Sequence, residues 1–439
     1  MARQAQMADA ERDYVPSTAP IDFNLLPETA SIGEDGGLMI GGCSVAELAA
    51  EYGTPLFIYD EEHLRNRVRE AVDSFGAGVA YASKAFLCKA MAELVHSEGM
   101  DLDVSTAGEF HIATAAGVPA KHLIFHGNNK SLNELRTVVT AGVNRIIIDS
   151  FDEMDRLDAL HEEGLPTPDV LIRITPGIEA HTHEFISTGR DDSKFGFTVS
   201  TGLATKAIER AMSSDSMNLR GIHAHIGSQV FRVDSFAKSA EVIAAVGAPY
   251  GLEEVSVGGG LGVPYVAGEE SFSIAEWANV VHDALKASGV TARVTAEPGR
   301  SIAAAAAITV YSVGTVKSLQ GIRTYIAVDG GMSDNPRPVL YGSGYEAFLP
   351  ERPISDRDQR VRIVGKHCES GDVLVREAQV PGDTKVGDLL ATPVTGAYGH
   401  SMGSNYNAVT RPAVLFCSNG NARLVVRRET LDDLLARDV

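Results

Sequence analysis

Between residues 79 and 296 short apolar runs alternate with stretches whose apolar residues recur every three to four positions. The runs fall at 79–83, 102–105, 122–126, 145–149, 170–175, 219–226, 254–257 and 293–296. Each is nearly continuous in apolar residues, as strands covered on both faces are. The patterns between them, at 87–97, 108–116, 132–141, 153–162, 203–213, 236–246 and 274–287, have the helical period. Alternation of this kind predicts parallel pairing with right-handed crossovers. Eight such units in about 220 residues predict a closed (β/α)8 TIM barrel rather than an open doubly wound sheet.

The flanks read differently. Residues 1–24 are polar and rich in turn formers, which predicts a loosely ordered arm. The apolar piece 38–40 lies between glycines and suggests a hairpin. A helix is expected over 45–52, with Ser44 as its cap and Gly53 as its terminator. A strand over 54–60 and a charged helix over 61–74 follow. Beyond about 307 the helical period fades, and 307–316, 324–328, 361–364, 389–392 and 423–428 read as strands between Gly and Pro turns, closed by a short helix over 431–436. The expected organisation is an arm and β segment (1–44) packing on the β domain, a barrel (45–306) and a mainly β C-terminal domain, barrel-like or sandwich-like (307–439). The stretch 333–358, rich in Pro, Gly and Tyr, reads as an ordered functional loop.

Charge and cysteine usage narrow the function. A formal net charge of −20 argues against nucleic acid and against an anionic membrane surface, both of which require basic patches. No apolar run approaches the roughly 18 residues of a membrane span, and residues 1–14 lack the apolar centre of a signal peptide. The four cysteines, Cys43, Cys88, Cys368 and Cys417, are far apart, so neither a disulfide framework nor a metal site is expected and a cytoplasmic setting is the simplest reading.

Candidate chemistry gathers at the strand ends that form a barrel's functional face. The first strand delivers Lys84, a costly residue to bury but, once partly desolvated, a nucleophile able to form a Schiff base. The alternative is an ammonium that simply reaches water. The second strand presents Asp103 and Ser105, and the fifth presents Arg173. The sixth ends in His223-Ala224-His225-Ile226-Gly227-Ser228-Gln229, the seventh runs into Gly258-Gly259-Gly260-Leu261-Gly262, and the eighth ends in Glu297-Pro298-Gly299-Arg300-Ser301. Consecutive glycines let backbone N–H groups approach an anion, and barrels often hold phosphate after strands seven and eight. A tight turn needing positive φ explains the same glycines equally well. An amine, an anion cradle and an acid in one mouth suggest pyridoxal 5′-phosphate, with Glu297 facing the ring nitrogen and His225 either stacked on the ring or hydrogen-bonded in the core. Asp103 and Arg173 would support His225 or Lys84, or form a structural ion pair.

Seven motifs in one order carry a resemblance. Tyr81-Ala82-Ser83-Lys84-Ala85, the His225, Gly258 and Glu297 stretches, Met332-Ser333-Asp334-Asn335-Pro336-Arg337-Pro338-Val339-Leu340-Tyr341, Cys368-Glu369-Ser370-Gly371-Asp372 and Gly396-Ala397-Tyr398-Gly399-His400-Ser401-Met402 resemble the fold type III (alanine-racemase-like) pyridoxal-phosphate decarboxylases, above all their diaminopimelate-acting branch. The likeness runs from about Thr54 to Pro412. It implies decarboxylation of meso-2,6-diaminopimelate to L-lysine and CO2, the last step of lysine biosynthesis. It also implies a Schiff base on Lys84 and a phosphate held by Ser228, Gly259, Gly260, Gly299 and Arg300. Tyr398 would touch cofactor and substrate. Arg300, Arg337 and Tyr341 would bind the retained carboxylate, and Glu369 the distal amine. Cys368 would donate the proton, its alternative being a small buried hydrophobe. Cys368 and Glu369 are expected from a partner subunit, making a homodimer with shared active sites. The rivals are a sister decarboxylase of ornithine, arginine or carboxynorspermidine, a racemase on the same barrel, and a non-catalytic binding or regulatory protein of this fold. The racemase is disfavoured because racemases of the fold pair the ring nitrogen with Arg. The stretch 181–197 resembles a family loop over the site.

Overall fold

The computed structural model describes residues 17–178, 189 and 191–439, and these form two compact units. One comprises residues 65–263 and 270–302. The other gathers the chain up to residue 64, the excursion 264–269 and residues 303–439.

The first unit is the expected barrel. Its strands are Ala80–Ala82, Asp101–Val104, Leu123–Phe125, Arg145–Ile148, Asp169–Thr175, Asn218–Ala224, Glu254–Ser256 and Arg293–Thr295, parallel throughout and hydrogen-bonded in chain order. The ring closes where Ala80 N–H donates to the Ala296 carbonyl (3.0 Å) and Ala82 N–H to that of Pro298 (3.1 Å). Helices follow the strands, several started by sequence-encoded caps. Ser131 with Glu134 and Ser273 with Glu276 each satisfy two otherwise unpaired amides as capping boxes. Ala80, Ile124, Ile147 and Leu171 form a buried cluster at mid-height. Above and below that layer the alternating side chains become charged, so the apolar barrel centre is capped at both ends by ionic groups.

The second unit is built on the 13-residue strand Ala307–Leu319. Its first half pairs with Leu56–Asp60 and Leu389–Pro393, and its second half with Arg323–Val328. Gln359–Val364 and Val373–Val380 extend one side, and Ala413–Ser418 and Asn421–Val426 extend the other beyond Leu56–Asp60. The sequence boundary at 45 therefore does not coincide with a compact unit. Helix Val45–Tyr52 and strand Leu56–Asp60 lie in the β unit, and the barrel unit begins at residue 65. All five residues of Leu56–Asp60 are buried, and a local run of that kind cannot say which sheet it will enter. The hairpin piece Leu38–Ile40 pairs antiparallel with Ser31–Ile32 and with Cys43–Ser44. Part of the expected loose arm is tied down: Arg357, 1% exposed, donates from its backbone to the Thr18 carbonyl (2.8 Å) and from its Nε to that of Ala19 (2.7 Å). Among the described residues no helix is long and apolar enough to cross a membrane.

Candidate active site

At the carboxyl end of the barrel the inward positions of successive strands are polar: Asp103, His126, Asp149, Arg173, His223 and Glu297 are all buried. Glu297 is their centre. His126 Nε2 lies 3.1 Å from its Oε1, and His223 Nε2 lies 2.9 Å from its Oε2. Burial alone would push the Glu297 carboxyl up, but the two imidazoles outweigh it and hold the group well below the usual carboxylate range. Burial likewise opposes charge on His126, yet Asp103 and Glu297 together raise its pKa, whereas burial prevails at His223 and lowers it. Asp103 is pushed up to about 6, chiefly by burial. His126, His223 and Glu297 place ligand-type atoms within 4.8 Å of one another. Those atoms contact each other directly, as two ring nitrogens on one carboxylate.

Arg173 faces Asp149 at 3.9 Å and stacks 4.3 Å from the centroid of Phe195. Of the loop at 181–197, positions 181–188 and 190 lie outside the described residues. Its remainder is anchored to the barrel: Asp149 accepts from the Gly196 amide, and Thr175 Oγ1 donates to the Phe195 carbonyl at 2.6 Å.

Lys84 sits in the 3-10 turn Ser83–Ala85 directly after the first strand, exposed between two buried neighbours. Its positive charge acts on both Asp103 and His225. His225 Nδ1 accepts from the Gly259 amide (3.0 Å), which fixes the ring's tautomer with the proton on Nε2. Burial first, then Lys84 and Arg173, hold His225 neutral, well below the ordinary imidazole value. Ser228 Oγ accepts from Arg300 Nε (3.3 Å) and Nη2 (2.9 Å), so these two predicted site residues meet. The glycine run has a packing cause. A Cβ on Gly259 would stand 2.2 Å from the Glu297 carbonyl, and one on Gly260, at φ +120°, would stand 2.2 Å from that of Gly227. Gly299 lies against Ala82. Backbone thus crowds backbone across strands six, seven and eight, where any side chain would fill the space.

The β unit carries the remaining predicted residues. Arg337 opens the short helix Arg337–Tyr341 and is 3% exposed. Its Nη1 donates to Tyr345 Oη (2.6 Å), and its guanidinium lies 4.0 Å from the Tyr265 ring centroid and 5.5 Å from that of Tyr345. Its Nε is buried without a hydrogen-bond partner, and among the described residues no carboxylate pairs with it. Tyr341 and Tyr398 are half-buried, Tyr398 with a left-handed φ of 60°. Cys368 and Glu369 are exposed. Their turn is held from below by buried Asp372, whose carboxylate accepts from the amides of Met332 (2.7 Å) and His367 (2.9 Å). His367 Nε2 meets Ser333 Oγ at 2.8 Å, which joins the Ser333 and Cys368 motifs.

His126, Tyr265 and Tyr345 were not singled out from the sequence, and His223 was placed at the barrel mouth without a role. The two histidines had a signal: both occupy inward positions near the ends of expected strands, in phase with Asp103 and Glu297. Tyr345 lies with Arg337 in the expected functional loop 333–358, whereas Tyr265 had no signal, since it reaches Arg337 from a segment far away in the chain.

Residues 61–304 match the family model described as pyridoxal-dependent decarboxylase, pyridoxal binding domain. A diaminopimelate decarboxylase of Mycobacterium tuberculosis is 46% identical over 437 residues, covering 95% of this chain and 98% of its own. That of Bacillus subtilis is 43% identical over 427 residues, covering 94% and 97%. Among solved structures, a diaminopimelate decarboxylase from M. jannaschii in complex with L-lysine superposes with a TM-score of 0.86 at 31% identity, covering 94% of this chain and 98% of its own.

Proposed function

Because the chain belongs to the pyridoxal-dependent decarboxylases, we propose that it removes one carboxylate from meso-2,6-diaminopimelate and releases L-lysine and CO2, the last step of lysine biosynthesis, in the cytoplasm. The observation that carries the substrate assignment is Arg337, a buried guanidinium caged by Tyr265 and Tyr345 with no carboxylate of its own among the described residues. A buried charge left unpaired is costly. A substrate that brings a second carboxylate relieves the cost, and one that ends only in an amine does not. That favours diaminopimelate over ornithine.

The barrel residues fit pyridoxal 5′-phosphate by their chemistry. Lys84 is an exposed amine for its aldehyde, Glu297 an ionised carboxylate for its ring nitrogen, and the Ser228–Arg300 pair offers a hydroxyl and a guanidinium for its phosphate, next in the chain to the Gly227 backbone on which Gly260 packs. When bound, this group supplies an electron sink for the charge left by departing CO2. In this reading Lys84 holds it as a Schiff base and His225 covers one face of the ring. Ser228, Gly259, Gly260, Gly299 and Arg300 hold its phosphate, with Tyr398 touching cofactor and substrate. Arg300, Arg337 and Tyr341 bind the carboxylate that stays, and arginine's planar fork is suited to that task. Glu369 of the partner subunit binds the distal amine. Cys368 of the partner subunit delivers the proton that replaces CO2, so the active form is a homodimer.

Release of CO2 measured with added pyridoxal 5′-phosphate against meso-diaminopimelate, ornithine, arginine and carboxynorspermidine tests this directly. Lysine is expected from diaminopimelate and negligible turnover from the others; a preference for ornithine would sink the assignment. Arg337→Met is expected to lower kcat/KM for diaminopimelate by about 10²–10³-fold, as loss of one member of a buried charge pair does.

A further inference from the structure

The two histidines do not hold Glu297 alike. His126 Nε2 faces two carboxylates, Glu297 Oε1 at 3.1 Å and Asp103 Oδ1 at 3.7 Å. Among the described residues His223 Nε2 faces Glu297 alone, and its other ring nitrogen is buried with no hydrogen-bond partner. The rings meet edge to face, 5.1 Å between centroids, so two like charges here would repel at close range. Lys84, Arg173 with Asp149, His225 and, toward Asp103, Glu109 are the other titratable or charged groups that act on the cluster. Among the described residues only His126 has a second carboxylate near enough to offset a ring charge, and a charge on His223 as well would stand unshielded beside it.

We propose that His126 and His223 are positioning residues that divide the task of holding Glu297: His126 as a cation balanced by Asp103, His223 as a neutral donor, so that Glu297 faces the ring nitrogen of bound pyridoxal phosphate as a carboxylate too weakly basic to take that nitrogen's proton. This rests on the assignment of the cofactor to the barrel. A carboxylate that already receives two N–H groups, one of them charged, has little remaining affinity for a proton. The proton between Glu297 and the ring then stays on the ring, where it makes the electron sink strong. The directions found for Glu297, His126 and His223 agree with this division.

The test is 15N NMR of the protein labelled in its histidine rings, with and without pyridoxal phosphate labelled at the ring nitrogen, in the wild type and in His126→Gln, His223→Gln and Asp103→Asn. In the wild type near neutral pH one imidazole of the pair is expected to be charged and the other neutral, and the bound ring nitrogen protonated. His126→Gln keeps a donor but no charge, so the ring-nitrogen signal should move toward the unprotonated position and kcat fall about 10–100-fold with KM changed far less. His223→Gln should leave the ring-nitrogen signal in place. In Asp103→Asn the pH at which that signal changes should drop by about one unit. Two neutral or two charged imidazoles in the wild type would overturn the division of labour, as would a ring nitrogen still protonated in His126→Gln. The imidazole signals decide the first point in cofactor-free protein even if a variant does not fold. Failure of the wild type to bind the cofactor at all would instead strike the functional reading.

Discussion

Glu254 and Glu297 stand at opposite ends of the same barrel, 3% and 7% exposed, yet their partners differ in kind. At the amino end Glu254 accepts from Arg145 Nε at 2.7 Å, from Arg145 Nη2, and from Arg293. At the carboxyl end Glu297 is met by two imidazoles. Guanidinium charge is permanent and imidazole charge is conditional. One end is therefore a fixed ionic plug whose work is to keep the barrel shut. The other is a set of groups whose protons can be redistributed, and Lys84 opens beside it. Burial alone does not distinguish a structural carboxylate from a chemical one; the titration range of its partners does.

Three substitutions break or sharpen that contrast. The largest effect is expected from Lys84→Ala, a loss on the order of 10⁴-fold or more in CO2 release, since the nucleophile is removed. The urea midpoint should barely move, because Lys84 is exposed. Glu254→Gln should do the converse. It leaves two guanidiniums without their buried counter-charge and should cost about 3–5 kcal/mol in urea unfolding, while turnover per folded molecule is retained. The smallest effect concerns pH. Asp103 titrates near 6 in the folded protein, raised from 3.8. Between those values the native state holds a proton that the unfolded chain has released, so this residue's contribution to stability is present below about pH 4 and is lost as pH rises to about 6. Asp103→Asn should flatten that fall by about 3 kcal/mol across the window, read from urea midpoints at stepped pH.

The barrel was legible because its period is local. Strand, cap and helix recur within about 30 residues, and the Ser131 and Ser273 capping boxes were written in neighbouring letters. The β unit was less so. Ala413–Ser418 is a buried apolar run that could have been read as a strand, but Val373–Val380 has Arg376 and Glu377 at its centre, which hid its alternation. At the site, residues whose role is chemical stood out by type: a lysine ending an apolar strand, a glycine run, a cysteine beside acids. Those whose role is to hold them did not. His126 and His223 needed the ring of strands before they converged on Glu297, and Tyr265 and Tyr345 needed the fold to meet at Arg337.

Strand Leu56–Asp60 lies between Ala307–Leu319 and Ala413–Ser418, though some 250 residues separate it from the nearer of them. A ribosome making this chain emits the middle strand of that sheet first and both of its neighbours last. The barrel can begin to fold during synthesis while Leu56–Asp60 still lacks partners, an apolar edge in waiting. Nor can the sheet be recovered by expressing the carboxyl-terminal third alone, since that fragment would carry a slot where an interior strand belongs.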